Sequence, residues 1–164
     1  MATFLHEIVV MWLAHTLRSW ARRRRGYVAG SEAKIAVGPR RGRKSDLSVY
    51  LRGKVPALAD TLVRTPPHIV VEVVSPRPRD ARRDRVEKIR DYAAAGIAYY
   101  WILDPQLRTL EVLELEMGGQ YRVALSRSSG KARVPGCPGL ILDLDDLWTE
   151  VEEADRQGRG TKRR

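Results

Sequence analysis

Over the first twenty residues Leu5, Ile8, Val9, Trp12, Leu13, Leu17 and Trp20 recur at intervals of three and four. That spacing lines one side of a helix and predicts an amphipathic helix over Phe4 to Trp20, packed on a core. The stretch is apolar enough to raise the question of a signal or membrane segment. It contains His6, Glu7, His15 and Arg18, and its positive run, Arg22 to Arg25, follows the apolar residues, whereas a secretory signal has it in front. Neither export nor membrane spanning is expected. After Gly26 the segment Tyr27 to Val37 is loosely strand-like, and Gly38 to Lys44 reads as a basic turn. In Ser45 to Leu51, Leu47, Val49 and Leu51 alternate with Asp46, Ser48 and Tyr50, which predicts a half-buried strand with Asp46 directed away from the aliphatic side. Arg52 to Pro67 lacks periodicity and reads as a loop with one helical turn.

The most apolar run, His68 to Ser75, places Glu72 among five β-branched aliphatic residues, Ile69, Val70, Val71, Val73 and Val74. Bounded by Pro66-Pro67 and by Pro76, it predicts a strand buried on both faces. A carboxylate there needs a partner, since an unpaired buried charge is costly. The partner is either a structural cation on the chain or a metal ion. From about Asp80 the pattern turns helical through Ala95, with Gly96 as the stop. At ~100° per residue Ile89, Tyr92, Ala93 and Gly96 share the core face, and Lys88 lies a quarter-turn from its centre. A strand Ala98 to Leu103 follows, then a hairpin of Thr109 to Glu116 and Gln120 to Leu125 joined through Gly118-Gly119. Leu140 to Glu153 combines a short apolar run with an acidic helical segment. Alternation of strands and helices in this order predicts one α/β domain over residues 1–155, with helices against a sheet, and a basic disordered tail over 156–164.

Composition changes this picture in two ways. Of 164 residues, 43% are hydrophobic, enough for a single cored domain, and 30 Lys+Arg against 20 Asp+Glu leave a net charge of +10. That excess suggests a polyanionic partner such as nucleic acid. The one cysteine, Cys137, has no partner for an internal disulfide, and no Cys/His spacing suggests a structural zinc site; the expected compartment is the cytoplasm.

Asp46, Glu72 and Lys88 fall on two strands and the next helix. Two carboxylates meeting at one point would hold a hard divalent cation, Mg²⁺ or also Mn²⁺, with an ammonium beside them to position water or balance charge. Each residue also has an ordinary explanation. Asp46 follows Lys44 and Ser45 at a turn-to-strand boundary, and Lys88, four residues after Asp84, could form a surface ion pair.

Asp46-Leu47-Ser48-Val49, Pro66 to Pro76, Asp84 with Lys88, Tyr92 to Ile97, and Tyr99 to Pro105 resemble the Uma-two restriction endonuclease family, within the PD-(D/E)XK nuclease superfamily. The resemblance is dense over residues 45–115 and extends weakly to the first helix, where His6 matches a family histidine. It implies a restriction-endonuclease-like core: a mixed sheet flanked by helices, with Asp46 and Glu72 as metal ligands, joined by the backbone carbonyl of Val73. In the superfamily's simplest pattern the lysine lies two residues after the glutamate, where this chain has Val74, so Lys88 takes that role. Ser45 stands where the family commonly has proline, and Glu7 is a weak candidate for an acidic residue from the first helix.

The resemblance and the charge together point to an Mg²⁺-dependent endonuclease hydrolysing DNA, with RNA as a second possible target. One alternative is a catalytically inactive nucleic-acid-binding protein on the same fold. Another is a homodimeric structural protein with the Trp12/Trp20 helix as its interface. Convergence of the Asp46 and Glu72 carboxylates with the Lys88 ammonium is the geometric criterion that bears most on these readings.

Overall fold

The computed structural model describes residues 3–76 and 84–161. Its elements are α1 (Phe4–Arg22), β1 (Tyr27–Ala29), β2 (Lys34–Gly38), β3 (Arg41–Lys44), β4 (Leu47–Tyr50) and β5 (Ile69–Val73). A π-helical turn (Asp84–Lys88) then runs directly into α2 (Ile89–Ala94). There follow β6 (Tyr99–Asp104), β7 (Thr109–Leu115), β8 (Tyr121–Arg127), β9 (Lys131–Arg133), β10 (Ile141–Asp143) and α3 (Leu144–Thr161). Six strands form one mixed sheet in the order β1-β4-β5-β6-β7-β8. Only the β5–β6 pair is parallel; its connection carries α2 across one face, as a parallel crossover requires.

The helix predicted from the apolar spacing is α1. Thr3 caps it by accepting the His6 amide on Oγ1 (3.3 Å), and the helix continues two residues past Trp20, to Arg22. Its apolar side, Val9, Leu13, Leu17 and Trp20, packs with Leu144, Leu147 and Trp148 of α3 on one face of the sheet, against Leu47, Val49, Ile69, Val71 and Val73. Pairing of β5 with both β4 and β6 makes it a central strand, covered above and below, as its unbroken valine run requires. Its alternate side chains, Val70 and Val74, face a second core with Tyr92, Ile97, Tyr100 and Ile102.

That second face is closed by a segment whose role the sequence pattern did not reveal. Tyr27 to Val37 is two strands, and most of the expected basic turn is itself a strand: β3 pairs antiparallel with β2, leaving only Pro39-Arg40 at the bend. The hairpin lays Ile35 and Val37 on the second core. β4 is buried on both faces, Ser48 and Tyr50 included, where alternation had predicted one wet face. The loop after β4 contains no helical turn among its residues; Val63 instead bridges Ile35.

Gly96 ends α2 as expected: at φ 72° it takes the left-handed conformation natural to glycine, and the Ile97 amide turns back onto the Tyr92 carbonyl (3.1 Å). The expected start of this helix at Asp80 lies outside the described residues. β9, which pairs with β10, was not anticipated. At the C-terminal end α3 runs through Arg156 to Thr161, a stretch whose composition suggests a tail, with Arg159 paired to Asp155 one turn back (2.9 Å). Lys162 to Arg164 lie outside the described residues. Among the described residues no helix is long and apolar enough to cross a membrane.

Leu17 has no exposed surface at the α1–sheet contact. Leu17→Ala should therefore destabilise the protein by about 2–5 kcal/mol, read as a lower urea midpoint with unchanged slope.

Candidate active site

Alternation along β5 sends Ile69, Val71 and Val73 to the α1 face and Val70, Glu72 and Val74 to the α2 face. Glu72 is therefore delivered, 3% exposed, beneath α2. Both its oxygens have partners there. Lys88 Nζ donates to Oε2 at 2.7 Å, and the Tyr92 hydroxyl donates to Oε1 at 2.6 Å. Lys88 and Tyr92 are four residues apart and so share a side of their helical segment, which turns both donors toward the same carboxylate. Lys88 lies largely buried on Glu72, and the expected surface pair of Lys88 with Asp84 falls on a side chain that is not described.

Asp46 arrives from the neighbouring strand. Antiparallel pairing sets Leu47 against Val71, and continuing that register by one residue sets Asp46 against Glu72. Its Oδ2 accepts the Val73 amide at 2.7 Å, so the carboxylate is anchored to the backbone just beyond Glu72. Asp46 Oδ2 also lies 3.3 Å from His6 Nε2, while His6 Nδ1 lies 3.3 Å from Glu7 Oε1. Thus the first turn of α1 reaches the strand end. Glu7 is mostly exposed and meets the site through His6. Val74, where the superfamily's simplest pattern has lysine, is buried in the second core.

The electrostatics follow from this placement. Burial pushes the Glu72 carboxyl up to about 7, the Lys88 ammonium opposes that shift, and the Asp46 charge reinforces it. Like charges set opposite each other across a strand pair repel, and a divalent cation between them relieves that repulsion. The Asp46 carboxylate, by hydrogen bond and charge, holds the His6 imidazole above its usual range against the opposing effect of burial. Tyr92 is raised by burial first and then by the Glu72 charge, which keeps it a donor.

Among the described residues no group of three or more His, Cys, Asp or Glu side chains is placed to hold a metal. The donors on offer are the two carboxylates and neighbouring backbone oxygen. That all-oxygen set suits a hard cation such as Mg²⁺, which keeps several waters and needs only one or two carboxylates.

Three contributors escaped the sequence reading. Tyr92 was read only as a core residue, although a tyrosine one turn from a lysine on a buried face could have been suspected as a second donor. Arg43 was placed in a turn and Asp91 was not singled out. Arg43 Nε donates to Asp91 Oδ2 at 2.7 Å and Arg41 Nη2 to the same oxygen at 3.0 Å.

Helices on both faces of a mixed sheet, with an acidic pair at adjoining strand ends, define a nuclease-like α/β domain. The fold is shared with the solved structure of a protein from Anabaena variabilis, titled a "putative nuclease belonging to DUF820". The two superpose with a TM-score of 0.75 at 17% identity, over 92% of this chain and 84% of that one. A family model described as "Putative restriction endonuclease", that of the Uma-two family, matches residues 1–145, and the chain belongs to this family. No curated protein matches it.

Titration of Glu72 yields a stability prediction for the metal-free protein. With its folded value near 7 against 4.5 for the free group, Glu72 holds a proton in the folded chain that the unfolded chain has released. Its contribution to stability therefore falls as pH rises from 4.5 to about 7 and is level above that. Glu72→Gln should remove that decline. The stability of wild type relative to the variant, from urea unfolding at pH 5 to 8, should fall as pH rises to about 7 and then hold level; a difference that is constant from pH 5 to 7 would contradict the assignment.

Proposed function

We propose that the protein is a metal-dependent endonuclease that hydrolyses DNA phosphodiester bonds. The observation that carries this reading is the buried Glu72–Lys88 pair at 2.7 Å, on the strand end that lies in register with Asp46. Family membership and the nuclease-like fold support it. Asp46 and Glu72 would hold Mg²⁺, or Mn²⁺ in its place, with the Val73 carbonyl as a third ligand. When bound, such an ion polarises a phosphate and lowers the pKa of an attacking water.

The protein's own groups have separable tasks in this scheme. Lys88, held against Glu72, orients water or balances the negative charge that develops on the phosphoryl oxygens. Tyr92 keeps Glu72 in one orientation by occupying Oε1. His6 does the same for Asp46 from the α1 side. A net charge of +10 draws the phosphate backbone to the surface, without choosing a sequence. The reading includes action in the cytoplasm as a homodimer. Trp20 is buried in the chain's own core, so that ring would not form the dimer contact, while the part-exposed Trp12 donates its indole N–H to Asp146 of α3 (2.9 Å).

Purified protein should nick supercoiled plasmid with Mg²⁺ or Mn²⁺ and stop on addition of EDTA. Asp46→Ala, Glu72→Ala and Lys88→Ala should each lower the rate by about 10²-fold or more. Equal cleavage by wild type and Glu72→Ala would refute the assignment. Salt-sensitive DNA binding that ignores EDTA, without cleavage by any of the proteins, would indicate an inactive binding protein on the same fold. Mass measurement across a concentration series tests the homodimer.

A further inference from the structure

The segment that carries Lys88 and Tyr92 is short. It consists of one π-helical turn and the six residues of α2, and its grip on Glu72 depends on how it is seated. π-Helical turns are uncommon and register-shifted, so neighbouring structure must hold them. The basic hairpin does this from outside. Arg43 of β3, largely buried, donates through Nε to Asp91 Oδ2 at 2.7 Å and through Nη2 to Glu87 Oε2 at 3.4 Å. Arg41 adds a second donor to Asp91 Oδ2 at 3.0 Å.

The spacing of these acids gives the contact its meaning. Glu87 and Asp91 are four residues apart and form one edge of the segment. Lys88 and Tyr92, each the next residue along, form the adjacent edge that faces Glu72. One guanidinium thus spans the same turn, from outside, that the Glu72 carboxylate spans from beneath. A planar guanidinium, with its donors in a fixed fork, fixes both position and rotation in a way that a single-point contact does not. Rotation matters here because a small turn of the segment about its axis would swing Lys88 off Glu72.

We propose that Arg43, through Asp91 and Glu87, is a positioning residue that sets the rotation of the Lys88–Tyr92 segment and so holds the Lys88 ammonium on Glu72. Only the kinetic consequence rests on the nuclease reading; the positional one does not. With the segment released, Lys88 spends less time at the reacting centre, so turnover falls while substrate binding is kept.

The test has two arms. In the first, the thermodynamic coupling between Lys88→Met and Glu72→Gln is measured by urea unfolding in wild type and again in Arg43→Gln. Coupling expressed as an equilibrium constant should fall about threefold or more in Arg43→Gln. Arg43→Lys, which retains the charge but lacks the fork, should recover part of it. Arg40→Gln, which removes a charge from the bend of the same hairpin, should leave the coupling unchanged. In the second arm, plasmid nicking in Mn²⁺ should show kcat lowered about tenfold in Arg43→Gln with KM within about twofold.

Unchanged coupling in Arg43→Gln would overturn the proposal, as would a rise in KM with kcat intact, which would make Arg43 a substrate contact. Should Arg43→Gln fail to fold, the near-isosteric Asp91→Asn takes its place; failure of both to fold would mark the pair as purely structural and overturn the proposal too. A wild type that does not cut plasmid would remove the nuclease reading and leave the coupling arm to decide the positional role.

Discussion

A carboxylate buried on the central strand of a sheet covered on both sides cannot be hydrated, so the surrounding structure must supply its donors. Glu72 meets that demand with the Lys88 ammonium and the Tyr92 hydroxyl. Removing one partner of such a buried pair leaves an uncompensated charge, typically a loss of about 3–5 kcal/mol. The docking of α2 on the sheet, the burial of Tyr92 and the orientation of Lys88 all answer to this requirement. Asp46 works against it, since its charge raises the Glu72 pKa further.

The two faces of the sheet divide the labour. On one, α1 and α3 bury the large apolar side chains and supply much of the stability. On the other, a smaller core of Tyr92, Tyr100, Ile97 and aliphatic residues from β2 and β5 surrounds the polar contacts. α1 belongs to both, because its body packs in the first core while His6, in its first turn, reaches Asp46. The β2–β3 hairpin links surface charge to the site: its apolar residues close the second core, and its arginines hold the acidic edge of the Lys88 segment.

Much of this was legible along the chain. The α1 helix, the buried β5 strand, the α2 stop at Gly96, β6 and the β7–β8 hairpin follow from periodicity, proline and glycine, which act over a few residues. The need of Glu72 for a partner could be read from burial cost, and Asp46 and Lys88 could be suspected beside it from family order. Less legible were β3, hidden in a run of arginines and glycine, and the burial of Ser48 and Tyr50. In both cases the missing information was which distant segment covers which face. A strand made of Arg41, Gly42, Arg43 and Lys44 has no apolar signature, and it forms because β2 offers it a backbone partner.

The sequence by itself therefore determined the elements, the two-sided burial of β5 and the need of Glu72 for a partner, because these depend on local pattern and on the desolvation of one charge. Only the tertiary structure decided who the partners are. Antiparallel register brings Asp46 opposite Glu72, and helix seating, held by contacts some fifty residues away in the chain such as Arg43 with Asp91, points Lys88 and Tyr92 inward. Those choices are made by backbone pairing and packing between remote segments, which no local pattern encodes.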